Sequence, residues 1–253
     1  MLSIEPALVG VAATGLLAAA AVGSGALTRW AGVVATVFGI VIVVAGGFPY
    51  LALLVLFVAA SVLATRYAFD EKKRRKLQEG TAGERGVSNV VAHIVLPTAL
   101  VLGTTLLYGT GASPAVLPLL FTAALSFGAA DTFASEFGVL SGEAYSILSM
   151  RRVEPGTNGG VSVLGTLWAF TGAATTAVLG WALFWVFHTN QLAADFAVPA
   201  ALIAGFLGCQ VDSLLGALLE NRGWLTKGST NFLGMLSSIV FALLLFRGLG
   251  NLL

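Results

Sequence analysis

Charge is what this sequence has least of. Its 253 residues hold 13 Lys and Arg against 12 Asp and Glu, so 10% are charged, where soluble domains carry roughly 25%. That deficit excludes a soluble domain, and a net charge of +1 leaves no bulk field with which to gather nucleic acid. Cysteine occurs once, at Cys209 inside an apolar run, so no intrachain disulfide can form and a small buried hydrophobe is its expected role. The opening MLSIEPALVG lacks the basic region of a signal peptide, and the first apolar run is expected to be retained as a helix.

What the chain does have is hydrophobic length, 57% of its residues. A membrane span needs about 20 consecutive apolar residues. Runs of that kind cover 4–27, 30–45, 50–65, 87–108, 115 to the Asp131 region, 163–187, 196–220 and 231–250. The expectation is an all-α, polytopic helix bundle in the cell membrane, with about eight transmembrane helices, or seven should the first run not cross. Residues 1–253 then form one membrane domain, with a basic loop at 66–86, a central loop at 137–162 and a turn at 109–114. No connector can house a soluble domain, so any chemistry falls to helix ends and short loops.

The basic residues support an even count. Arg29, the cluster of Arg66, Lys72, Lys73, Arg74, Arg75, Lys76 and Arg85, the pair Arg151 and Arg152, and Arg222 with Lys227 all follow odd-numbered runs. The connectors after the second, fourth and sixth carry none, and Arg247 alone lies elsewhere. Positive residues stay in the cytoplasm, which puts the odd connectors inside and both termini outside. The run of Lys72 to Lys76 reads as a solvated patch facing lipid head groups.

Ionisable residues at membrane depth are expensive and functional by default. Asp131 and Glu136 interrupt the fifth run; five residues place them about 140° apart on an ideal helix, so sharing a site requires the helix to fray, which Gly128 and Gly138 would favour. Both are candidate ligands for a hard cation, since Mg²⁺ prefers oxygen donors. Asp212 lies on a stripe with Gly205, Gly208 and Gly216, which lets a second helix approach and turns the carboxylate inward. Glu220, two turns on, reads as interfacial. Gly156, Thr157, Asn158, Gly159 and Gly160 form a loop opening a helix that Ser162 can cap, a candidate anion site. Arg151 and Arg152 are either phosphate contacts or topology signals. Arg85, Asn89 and His93 recur every four residues, giving a polar face where the fourth run begins; His93 is a possible general base or a structural histidine, and His188 is incidental. These groups all fall at the cytoplasmic end, and together they suggest metal-assisted phosphate chemistry at a membrane surface.

The same residues resemble an integral-membrane family that includes transmembrane protein nineteen of animals and the phytyl-phosphate kinase of plants. The resemblance rests on Ala130-Asp131-Thr132-Phe133-Ala134-Ser135-Glu136-Phe137-Gly138, on Pro155-Gly156-Thr157-Asn158-Gly159-Gly160-Val161-Ser162 and on Asp212-Ser213-Leu214-Leu215-Gly216-Ala217, in that order. It departs from the family at Asn89, where a glutamine is usual, and at His93, where an asparagine is.

The resemblance implies a kinase that moves a phosphoryl group from a nucleoside triphosphate, CTP or ATP, to an isoprenoid monophosphate lipid such as phytyl or geranylgeranyl phosphate. On that reading Asp131, Glu136 and Asp212 hold Mg²⁺, while Arg85, Asn89, Arg151, Arg152, the 156–160 loop, Ser162 and Ser213 face the phosphates. Two rivals use the same acids: an ion-coupled transporter built on Asp131 and Asp212, and an aspartyl intramembrane protease. The protease lacks its expected Gly-x-Gly-Asp context here.

Overall fold

Helix boundaries in this chain are set by glycine, proline and small polar residues, and the computed structural model, which describes residues 4–107, 116–189 and 192–249, places a helix on every apolar run. In chain order these are α1 (Ile4–Gly23), α2 (Arg29–Ala45), α3 (Phe48–Arg66), a short α4 (Phe69–Arg74) inside the basic loop, α5 (Val87–Leu107), α6 (Val116–Gly138), α7 (Val163–Val186), α8 (Ala194–Leu215) and α9 (Lys227–Leu249). Thr28 caps α2 by accepting from the Ala31 amide at 3.3 Å. Gly47, at φ +95°, turns the chain between α2 and α3, and Pro49 sits in the first turn of α3 where its missing N–H leaves nothing unpaired. The turn expected at 109–114 lies outside the described residues.

Five of these helices are long and apolar enough to cross a membrane: Phe48–Arg66, Val116–Gly138, Val163–Val186, Ala194–Glu220 and Lys227–Gly248. Three shorter apolar helices, Leu8–Gly23, Arg29–Ala45 and Val87–Gly103, stand beside them. Eight apolar helices thus occupy the eight expected positions, and the chain is a multi-pass membrane bundle.

The axis of the bundle is α6, whose Phe121, Ala123, Ala124, Leu125, Phe127 and Ala130 are wholly buried. In lipid the drive to associate is close packing, so small residues mark the seams. A Cβ added at Gly172 of α7 would stand 2.7 Å from the Ala129 carbonyl oxygen of α6, and one at Gly205 of α8 would meet Ser126 Cβ at 2.5 Å. The backbones lie too close for any side chain. The Gly205–Gly208–Asp212 stripe therefore packs as expected, between α6 and α9. On its other side α6 meets α3 and α7 through aromatic rings, with Phe121 edge-on to Tyr50 at 4.9 Å and Tyr50 against Phe184 at 4.6 Å.

The central loop is more ordered than its composition suggests. Strands β1 (Ala144–Ser146), β2 (Arg152–Val153) and β3 (Gly160–Val161) form a small antiparallel sheet in the order β2-β1-β3, with Tyr145 opposite both Arg152 and Val161. Strands of two or three residues are too short for alternation to reveal them. The sheet holds the 154–159 loop at the end of the bundle.

All four basic connectors meet at that end. Arg66 donates to the Ser24 carbonyl, the Arg85 amide donates to Ala26 at 2.9 Å, Lys227 Nζ lies 3.3 Å from Glu79, and Asn221 donates to the Asn158 carbonyl at 3.2 Å.

Candidate functional site

Where the connectors converge, a polar cavity of about 370 Å³ opens. Asp131 and Glu136 from α6, Asp212 and Ser213 from α8, the 156–160 loop, Ser162, and Lys227, Thr230 and Asn231 from α9 all line it.

The two acids of α6 do not act as a pair. The helix runs unbroken to Gly138, so Asp131 and Glu136 keep their angular separation and face different neighbours. The fraying expected at Gly128 does not occur. That glycine serves packing, since a Cβ there would meet Phe57 at 2.9 Å and His93 at 3.2 Å.

Asp131 turns toward α5 and α9. Its Oδ2 accepts from Asn231 Nδ2 at 3.2 Å and lies 3.9 Å from His93 Nε2. Glu136 turns toward α3 and α4, where Lys72 Nζ lies 2.6 Å from Oε2 and the Thr65 hydroxyl 2.8 Å from Oε1. Lys72 is fully buried and also donates to the carbonyls of Ala64 and Thr65, at 2.9 and 3.0 Å. One sequence expectation is corrected here. Lys72 is a buried countercharge, unlike the exposed Lys73, Arg74, Arg75 and Lys76 around it. Glu136 is paired with Lys72, and no group of three or more His, Cys, Asp or Glu able to hold a metal occurs among the described residues.

Asp212 is different. Its Oδ1 is buried without a hydrogen-bond partner among the described residues, and its Cβ would stand 3.0 Å from a Cβ added at Gly234 of α9. A buried carboxylate oxygen without a donor is costly unless something occupies it. One turn beyond, the helix widens into a π-helical turn at Gly216–Glu220, a distortion frequent at functional sites. Glu220 also lines the cavity and accepts from Thr230 at 3.3 Å, so it faces the site. Asp212 and Asp131 line the same cavity, and carboxylate oxygens are the donors a hard cation takes.

The glycine loop packs against that π-helical turn. Gly159 has φ +73°, and a Cβ there would meet Ala217 N at 2.8 Å and Ala217 Cβ at 2.3 Å. Only glycine satisfies both the left-handed backbone and the contact. Ser162 caps α7 as expected, accepting from the Gly165 amide at 3.0 Å.

The arginines divide. Arg151 and Arg152 are exposed and do not line the cavity; Arg152 lies 3.4 Å from Glu143. Arg85 is buried beside the cavity, donating to Asn89 Oδ1 at 3.0 Å and to Thr65 Oγ at 3.2 Å. Burial pushes its guanidinium below the usual arginine range, while the charges of Glu79, Glu136 and Asp131 oppose that shift. Thr65 thereby links Arg85 to the Glu136–Lys72 pair. Lys72, Thr65, Lys227, Thr230 and Asn231 were not singled out as site residues from the sequence. Lysine in a basic run and threonine in an apolar helix carry no local sign of burial. Asn231, a polar residue at the start of the last apolar run, could have been suspected.

The comparisons with known proteins agree with this architecture. Residues 12–243 match the family described as integral membrane protein DUF92. The chain is 29% identical to an uncharacterized membrane protein of Methanocaldococcus jannaschii over 212 residues, covering 83% of this chain and 82% of the relative. It is 32% identical to an uncharacterized membrane protein of Synechocystis sp., covering 82% and 80%, and 31% identical to Protein PGR of Arabidopsis thaliana, covering 70% and 67%. No solved structure matches. A family match across nearly the whole bundle, including all three motifs that line the cavity, gives the conclusion that this chain belongs to the DUF92 family of integral membrane proteins.

Proposed function

We propose that the protein is a membrane-embedded lipid kinase, moving the terminal phosphoryl group of CTP or ATP to an isoprenoid monophosphate and releasing the nucleoside diphosphate. One observation carries this reading: Asp131, Asp212 and the 156–160 loop, far apart in sequence, line one polar cavity at the end of an otherwise apolar bundle. The family resemblance of the three motifs supports it, and the basic connectors favour a cytoplasmic cavity, where nucleotides are available.

Phosphoryl transfer needs positioning and charge neutralisation more than covalent help from the protein. The 156–160 loop, which leads into the N-terminus of α7, would cradle donor phosphates. Asp131 and Asp212 would hold Mg²⁺, which when bound supplies neutralisation of the donor phosphates. Lys227, with its Nζ near Glu79 at the cavity rim, adds a movable positive charge. An oxygen of the acceptor monophosphate forms the new bond to phosphorus as the bond to the departing nucleoside diphosphate breaks. The attacking oxygen is already ionised, so no general base is required, and His93 has no proton to take.

The test is direct. Purified protein in detergent, given labelled CTP or ATP with Mg²⁺ and phytyl monophosphate, should place label in a lipid diphosphate. Absence of product with every donor and acceptor, from protein that remains folded, would contradict the proposal; uptake of a solute by proteoliposomes without nucleotide would favour the transporter.

A further inference from the structure

The polar cavity has a larger neighbour. A groove of about 520 Å³ runs between α1, α2, α3 and α5, walled by hydrocarbon from Leu17, Leu51, Leu54, Val58, Val62 and Ile94. Toward the connector end polar side chains interrupt that lining, among them Ser61, Arg85 and His93. They are 2%, 7% and 4% exposed, and each holds a buried polar atom without a hydrogen-bond partner among the described residues: Ser61 Oγ, Arg85 Nε and His93 Nε2. Unpaired buried polar groups are costly, and one groove collects three of them. Arg85 Nε is a charged donor and Ser61 Oγ a hydroxyl, whereas His93 donates Nδ1 to the Asn89 carbonyl at 2.9 Å and so presents Nε2 as an acceptor. The arginine and the hydroxyl are complementary to an anion.

We propose that this groove binds the single hydrocarbon chain of a lipid monophosphate drawn from the bilayer, with its phosphate held at Arg85 and Ser61. The proposal deepens the kinase reading and rests on it, by naming where the acceptor enters. The groove is apolar along its length and basic at one end, the pattern of a long chain with an ionised head. That end abuts the polar cavity. His93 lines the groove, yet its Nε2 stands 3.9 Å from Asp131 Oδ2 in the cavity. Thr65 likewise connects Arg85 in the groove to Glu136 in the cavity. Of the acids whose charge acts on Arg85, Glu136 is paired with Lys72 and Glu79 with Lys227.

The test measures binding without nucleotide or metal, using tritiated geranylgeranyl monophosphate and the purified full chain in detergent. Saturable binding is expected, with geranylgeraniol, which lacks the phosphate, competing at least tenfold more weakly, as expected for a lost charge-assisted hydrogen bond of about 1.5–3 kcal/mol. Ala59→Trp and Ala35→Trp, two small groove-lining positions filled by an indole, should each weaken binding at least tenfold. Arg85→Gln should do the same, and Arg85→Lys should recover part of the loss. Leu167→Trp, on an exposed face of α7, should bind as the parent does.

Parent-like binding by both groove variants, equal competition by the alcohol, or equal binding of two-chain phosphatidic acid would each overturn the proposal. Should the two tryptophan variants fail to fold, the alcohol and phosphatidic acid competitions still decide it on the parent protein. Groove binding without any phosphoryl transfer would refute the kinase and leave the groove standing. Transfer with an unchanged KM for lipid in the tryptophan variants would do the reverse.

Discussion

Lys72 Nζ stands 2.6 Å from Glu136 Oε2, with the two side chains 0% and 7% exposed. This contact ties the basic loop to the central helix. It anchors α4 beneath the end of α3 and lays residues 76–79 along the rim of the polar cavity. A buried pair adds little over an apolar pair of the same shape, but breaking it strands a charge.

Removing one partner is therefore the damaging change. Lys72→Met and Glu136→Leu should each lower stability by about 3–5 kcal/mol, read as a fall in thermal midpoint in detergent. The double variant should recover most of the loss. Equal destabilisation by the double and single variants would show that the pair contributes through packing alone.

Gly159 is fixed by its backbone and its neighbour together. Gly159→Ala places a methyl against the backbone of Ala217 at φ +73°, a strain of about 1–3 kcal/mol. The loop lies at the end of the bundle, so the thermal midpoint should shift by only a few degrees while the KM for nucleotide rises. An unchanged KM would remove the loop from the donor site.

The orientation can be read chemically. Cys209 is buried, which leaves a quiet background for introduced thiols. Arg74→Cys, in the exposed basic loop, should react with an impermeant maleimide only from the cytoplasmic side, and Thr189→Cys, at the opposite end of α7, only from outside. The opposite pattern would place the polar cavity away from nucleotides.

Chelation separates metal-dependent transfer from lipid binding. EDTA should abolish transfer and leave geranylgeranyl monophosphate binding in the groove unchanged, because the groove lining carries no acid. Loss of both on chelation would mean that the metal supports the fold.

The bundle was legible in the sequence because length and apolarity alone specify a membrane helix, and charge segregation ordered the connectors. The inward turn of Asp212 was legible too, since a glycine stripe faces a neighbouring helix and carries the aspartate on that stripe inward with it. Lys72 was not. Its neighbours in sequence are solvated lysines and arginines, and only the fold brings Glu136 from 64 residues away to meet it. The separation of Asp131 from Glu136 followed from helix geometry; the expected fraying does not occur, and the two line one cavity toward different neighbours. The sheet of β1 to β3 was invisible for lack of length, and the π-helical turn after Asp212 leaves no periodic signature. The groove escaped notice because its walls are ordinary apolar residues on four helices.

The central claim is that Asp212 supports phosphoryl transfer to a lipid phosphate. The measurement that tests it compares the parent and Asp212→Asn proteins side by side, with labelled CTP, Mg²⁺ and geranylgeranyl monophosphate, after equal thermal midpoints have been established. Label in the lipid diphosphate from the parent, reduced at least a hundredfold in Asp212→Asn, is the predicted result. Equal transfer by the two proteins would contradict the account.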